Sequence, residues 1–187
     1  DIHAATAAKV YGVAYDAVTR EQRSHAKTVN FSILYGAGPQ NISRQLGIGR
    51  NEARELIDQY FKTYRGLKAY MTDVVEQARK NGYVSTLLGR KRILRDINSR
   101  NALARANAER VAINTPIQGT AADMIKLAMI HIHDEFRRKK LDAKMILQVH
   151  DELVFDTPKA ERDEVCRIVI DKMKNAIPNL RVPILVE

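Results

Sequence analysis

Four residues recur at every fourth position within 19–36: Arg23, Lys27, Phe31 and Tyr35. On a helix that spacing stacks them in one row along one face. At about 1.5 Å per residue the row is roughly 18 Å long. Its first half is cationic and its second half aromatic. A ligand with an anionic end and a flat end, such as a nucleoside triphosphate, suits it. The same spacing also suits an amphipathic helix whose charges are solvated and whose Phe/Tyr end is buried. A second group able to do chemistry is His150-Asp151-Glu152, set between the short apolar runs 144–149 and 153–156. A hairpin there would expose two carboxylates, whose oxygens are hard ligands for Mg²⁺. An Asp-Glu turn by itself is common and most often inert.

The elements that must position these groups are legible in outline. Thr19 and Gln22 form a capping box, so the row's helix starts at Arg20. Gly36, Gly38 and Pro39 end it. Residues 2–11 read as a short Ala-rich helix bearing His3, and 12–18 as a connector. Residues 40–46 read as a helical turn closed by Gly47. Two amphipathic helices follow over 51–64 and 66–81, with Leu56, Tyr60, Phe61, Tyr64, Leu67, Tyr70, Met71, Val74 and Val75 as core. Residues 83–94 read as a hairpin crowded by Arg90, Lys91, Arg92 and Arg95. That suits a phosphate contact and equally an edge strand blunted by charge.

Ser99 can cap a helix over 101–115, along which Arg110, Asn114 and Gln118 continue at four-residue intervals. Pro116 interrupts, and a second helix is expected over 120–140. Its apolar positions are Met124, Leu127, Ala128, Ile130, Ile132 and Phe136, while His131 and His133 read as solvated or structural. A helix over 161–176 and a strand over 182–186 complete the pattern. Cys166 falls within the former and is expected in its core.

The chain has 187 residues, one cysteine and a net charge of +9. An internal disulfide is excluded, and a reducing cytoplasm is suited. No apolar run approaches the ~18 residues of a membrane span, so no membrane partner is expected. The charge is unevenly placed: net −1 over 1–19, +10 over 20–110 and zero over 111–187. An excess confined to one contiguous stretch reads as an anion-binding surface. The chain opens on Asp1 in a helical pattern and closes within an apolar strand pattern, so it reads as a piece of a longer protein.

The string Arg23-x-x-x-Lys27-x-x-x-Phe31-x-x-x-Tyr35-Gly36 resembles the O-helix motif, motif B, of family A DNA polymerases of the bacterial DNA polymerase I type. The likeness continues through Asp1-Ile2-His3, the Glu109-to-Asp123 run and Val149-His150-Asp151-Glu152, which is similar to motif C. It implies an α+β fold: a helical fingers-like region over 1–82, then over 83–187 a partial palm with a basic hairpin and the motif C hairpin in an antiparallel sheet with packed helices. It implies that His3, Arg23, Lys27, Phe31 and Tyr35 bind the incoming nucleotide, with Lys27 also placed to protonate the leaving pyrophosphate. Arg90, Lys91, Arg110, Asn114, Gln118 and His150 would contact DNA. The Arg and the two side-chain amides can donate to N3 or O2 acceptors that every correct pair offers in the minor groove. Asp151 would ligate metal, with Glu152 nearby, in a two-Mg²⁺ mechanism.

The resemblance further implies primer–template DNA and dNTP as partners and a bacterial, nucleoid-associated cytoplasmic setting. The second metal-binding Asp belongs to a motif A string, Asp-Tyr-Ser-Gln-Ile-Glu-like, that these residues lack. The isolated chain is therefore expected to be inactive, and to self-associate through a sheet edge left unpaired. Two other classes remain open on sequence: a non-catalytic basic nucleic-acid-binding module, and a fragment of a single-subunit RNA polymerase.

Overall fold

Capping and periodicity carry the first half of the chain into helices, in a computed structural model that describes all residues from 1 to 187. In order, the elements are α1 (Ile2–Tyr11), a 3-10 turn (Tyr15–Ala17), α2 (Arg20–Leu34), α3 (Pro39–Leu46), α4 (Arg50–Thr63), α5 (Arg65–Asn81), β1 (Tyr83–Ser85), β2 (Lys91–Ile93), α6 (Ala102–Lys139), β3 (Lys144–Val149), β4 (Glu152–Asp156), a 3-10 turn (Lys159–Glu161) and α7 (Arg162–Lys174). The fold is α+β, with two separate two-stranded antiparallel sheets, β1–β2 and β3–β4. No helix is long and apolar enough to cross a membrane.

The chain divides into two compact units, Asp1–Ile117 and Gln118–Glu187. The first holds all of 1–82 together with β1, β2 and the first part of α6, so the stretch 83–187 is shared between the units.

The first unit has two apolar clusters. In one, Val29 and Ile33 of α2 meet Ile42 of α3 and Ala53 and Tyr60 of α4, with Phe61, Tyr64, Leu67 and Met71 around them. This burial fixes which face of α2 turns outward. In the other, Ala78 of α5 and Val84 of β1 close on Leu94, Ile97 and the α6 residues Ala108 and Ala112. The second unit packs Ala128, Ile132 and Phe136 of α6 against Val165 and Ile168 of α7, with Met145, Leu153 and Phe155 of the sheet against them.

Five sequence expectations are corrected. Residues 101–115 and 120–140 are not two helices: α6 runs unbroken for 38 residues through Pro116. A proline within a helix costs about 3 kcal/mol, and the buried side chains on both sides of it outweigh that. The division between the two units falls just after it. The cap of α6 is Asn101, whose Oδ1 accepts from the amides of Leu103 at 2.9 Å and Ala104 at 3.3 Å. Ser99 Oγ accepts instead from the Asn101 amide.

Ile130 is exposed, because it lies off the four-residue stripe of Ala128, Ile132 and Phe136. Cys166 is also exposed, since α7 turns Val165 and Ile168 inward. Residues 182–186 form no strand: neither sheet offers them a pairing partner, and Val182 and Leu185 are exposed.

Candidate functional site

The row on α2 begins with its cap. Thr19 Oγ1 accepts from the Gln22 amide at 3.1 Å, and Gln22 Oε1 accepts from the Thr19 amide at 3.0 Å. The helix ends at Leu34, and Tyr35 is its C-cap. Arg23, Lys27, Phe31 and Tyr35 are all exposed, while Ala26, Val29, Ser32 and Ile33 on the opposite face are buried. Phe31 and Tyr35 are 47% and 52% exposed. The alternative of a buried aromatic end is thereby excluded.

α1 lies against α2 and brings His3 to the row. The Asp1 carboxylate caps α1 by accepting from the amides of His3 and Ala4. Its Oδ2 also accepts from Arg23 Nε at 2.8 Å and pairs with Arg23 Nη2 at 2.6 Å. The His3 ring sits 5.6 Å from the Phe31 ring at an interplanar angle of 50°. Asn30 Nδ2 lies 3.1 Å from His3 Nδ1 and donates to Thr6 Oγ1 at 3.2 Å. With the amide donating, Nδ1 accepts, and Nε2 keeps the proton. Burial, then the charges of Arg23 and Lys27, hold the imidazole below its ordinary value, so the ring is mostly neutral at pH 7. The result is a concentration of cationic and donor groups beside two exposed aromatic rings.

Asn30 and the bonding role of Asp1 escaped the sequence reading, although both hold named site residues in place. Asn30 carried a faint signal: an amide next to Val29, on the inward side of an otherwise apolar face.

The basic hairpin turns on Gly89, whose φ is +82°. Its register pairs Tyr83 with Ile93, Val84 with Arg92 and Ser85 with Lys91. Arg90 and Lys91 are exposed, and the Lys91 ammonium stands 4.5 Å over the Tyr83 ring. On α6, Arg110 is exposed and Asn114 half-buried, and Arg110 Nη2 donates to Asn107 Oδ1. Gln118, exposed, is the first residue of the second unit.

In that unit β3 and β4 pair from Lys144↔Asp156 to Val149↔Glu152, with a bulge between Met145 and Leu147. The extra residue, Ile146, lets Met145, Leu153 and Phe155 stay on the core face while Leu147, Val149 and Val154 are exposed. Glu161 anchors the start of β3 by accepting from the Asp142 and Ala143 amides at 3.1 Å.

His150 takes a positive φ of 54°, a conformation uncommon outside glycine and frequent at functional turns. Its carbonyl accepts from Gln148 Nε2 at 2.9 Å. The turn presents His150, Asp151 and Glu152 to solvent. Their oxygen donors fit Mg²⁺ in kind, and the register fixes them next to one another. No cluster of three or more His, Cys, Asp or Glu side chains accompanies them. An ion here would complete its shell with water, substrate phosphates or further residues.

The model of DNA polymerase family A matches residues 1–187. The DNA polymerase I of Bacillus caldotenax is 47% identical over 187 residues, covering 100% of this chain and 21% of its own length. That of Caldicellulosiruptor bescii is 49% identical over 187 residues, with 22% of its length covered. That of Bacillus subtilis is 47% identical, with 21% covered. The chain thus spans about a fifth of the length of the curated relatives it matches. A solved structure described as the POL domain of Pol1 from M. smegmatis in complex with DNA primer-template and dNTP superposes with a TM-score of 0.90 at 42% identity, covering 98% of this chain and 32% of that one.

Proposed function

Because the chain belongs to DNA polymerase family A, we propose that it supplies the nucleotide-binding and primer-terminus surfaces of a template-directed DNA polymerase working in the bacterial cytoplasm. The observation that carries this reading is the exposed Arg23–Lys27–Phe31–Tyr35 row with His3 beside it. Arg23, Lys27 and the Nε2–H of His3 receive the triphosphate. Phe31 and Tyr35 offer flat apolar surface to the sugar and base. Arg23 leaves Asp1 as the anion arrives, since a phosphate outcompetes an exposed carboxylate partner.

Lys27 donates a proton to the leaving pyrophosphate. Arg110, Asn114 and Gln118 donate to minor-groove acceptors of the terminal pairs, while Arg90 and Lys91 hold phosphates. His150 approaches the primer end, Asp151 would ligate Mg²⁺, and Glu152 lies beside it. When bound, two such ions activate the primer 3′ hydroxyl and stabilise the leaving pyrophosphate.

Primer extension tests the reading. The full-length protein should incorporate dNTP, and Asp151→Asn should abolish incorporation while leaving DNA binding intact. The 187-residue chain alone should bind DNA without extending it, because Asp151 by itself cannot hold two ions in line. Extension that survives Asp151→Asn would overturn the catalytic assignment and leave a basic binding module.

A further inference from the structure

Gly36 follows the row's last residue with φ +71°, and its α-hydrogen side is closed by another element of the same unit. A Cβ built there would stand 2.5 Å from Arg110 Cγ, 3.1 Å from Cδ and 3.6 Å from Cβ. The stem of Arg110 therefore lies directly on the backbone that ends α2. That backbone is itself fixed: the Gly36 amide donates to Ile33 O at 2.9 Å and the Ala37 amide to Ser32 O at 2.8 Å. Arg110 is fixed at its other end, where Nη2 donates to Asn107 Oδ1.

Other left-handed glycines do not share this contact. Gly12, Gly47, Gly82 and Gly89 also have φ between +67° and +82°, and a Cβ on any of them would meet nothing within 4 Å. Their conformation alone accounts for glycine. At Gly36 there is a second requirement, the space taken by one particular arginine.

We infer that Gly36 is a positioning residue: it seats the Arg110 stem against the end of the nucleotide-binding helix and so ties the guanidinium's place at the primer terminus to the position of α2. The inference rests on the assignment of Arg110 proposed above. A methyl at position 36 cannot be met by a shift of the guanidinium alone, because the clash is with Cγ, near the root of the side chain. The α2 end is held by two backbone hydrogen bonds, so Arg110 gives way. An apolar cleft bordered by Ile33, Ala37, Phe61, Met71 and Ile113 adjoins the contact. The displaced stem has room there, so the substitution moves Arg110 rather than disrupting the packing. Displacing a reacting-site group by about 1 Å can cost on the order of a hundredfold in rate.

The test uses four variants of the full-length protein: Arg110→Ala, Gly36→Ala, Gly47→Ala and the double Gly36→Ala/Arg110→Ala. The readouts are single-turnover extension of matched and 3′-mismatched primers, and thermal melting. Arg110→Ala should slow matched extension about ten- to a hundredfold, as expected for losing a base-edge arginine. Gly36→Ala should approach that loss and change the matched-to-mismatched ratio in the same direction. Gly47→Ala, which carries the left-handed strain without the clash, should stay within about twofold of the parent. The double variant should be no slower than Arg110→Ala.

Gly36→Ala behaving like Gly47→Ala, or losses that multiply in the double variant, would overturn the inference while leaving the role of Arg110 intact. Arg110→Ala with unchanged extension would instead overturn the assignment of Arg110 itself. Should Gly36→Ala melt well below Gly47→Ala, removing the stem in the double variant should restore the melting temperature. Failure to restore it would show that the glycine serves something other than Arg110.

Discussion

Tyr60 offers a titration that reports on the packing beneath the exposed row of α2. It lies in the cluster that buries Val29 and Ile33 of α2 and is only 4% exposed. Its ring stands 4.9 Å from Tyr64, whose hydroxyl is 2.9 Å from Thr6 Oγ1 on α1. Burial, and then the neighbouring Tyr64, push the Tyr60 phenol up to about 12.

An unfolded tyrosine titrates near about 10. Between those values the folded chain keeps the proton and the unfolded chain loses it. Stability is therefore fully present below about pH 10 and is lost as pH rises through about 12. The whole effect is roughly 2–3 kcal/mol, of which about 1.4 kcal/mol, or a tenfold change in the unfolding constant, should be gone at pH 11.

The perturbation is Tyr60→Phe, which keeps the ring and deletes the proton. Urea denaturation followed by circular dichroism, at pH 7, 9, 10 and 11, measures both proteins. At pH 7 they should agree within about 1 kcal/mol. By pH 11 the parent should have lost about 1.4 kcal/mol more than the variant. Parallel profiles up to pH 11 would refute the argument, because a phenol whose value is unchanged by folding contributes no pH dependence.

Four further outcomes follow from the same packing and charges. Ile132→Ala, at a fully buried position of the second unit's core, should destabilise that unit by about 3 kcal/mol in denaturant melts. In the full-length protein, Lys27→Ala should lower the incorporation rate and Arg23→Ala should raise the nucleotide concentration needed, both read by rapid-quench kinetics; unchanged kinetics in both would make α2 structural only. If Arg90 and Lys91 each neutralise one phosphate, the log–log salt slope of DNA binding should be at least about −1.8 in magnitude, roughly twelvefold weaker binding from 50 to 200 mM salt; salt-indifferent binding by fluorescence anisotropy would contradict it. The isolated chain should self-associate through the β3–β4 sheet, whose outer residues Ile146, Leu147, Val149 and Val154 are exposed and whose edges are unpaired; a strict monomer by light scattering at high concentration would refute that.

Local signals decided much of this protein. The Thr19–Gln22 box, the four-residue row and the glycine stops are short-range, so α2 and its row were legible from spacing alone, whereas the exposure of its aromatic end was settled only by what packs on the opposite face. The hairpins at Gly89 and at His150–Asp151 were legible for the same reason, since alternation and turn chemistry act within a few residues. What sequence could not decide depended on partners far along the chain. Pro116 reads as a break, yet the burial of Ala108 and Ala112 on one side and Ala128 and Ile132 on the other carries the helix through it. Residues 182–186 have strand character, but a strand exists only where another backbone pairs with it. Cys166 and Ile130 are apolar in type and exposed in place, because the direction of a helix face is set by what packs against its neighbours. The two-unit division, the Asp1 and Asn30 bonds that hold Arg23 and His3, and the closure of Gly36 against Arg110 appear only in three dimensions. Each joins residues more than 20 positions apart, a distance over which local propensity carries no information.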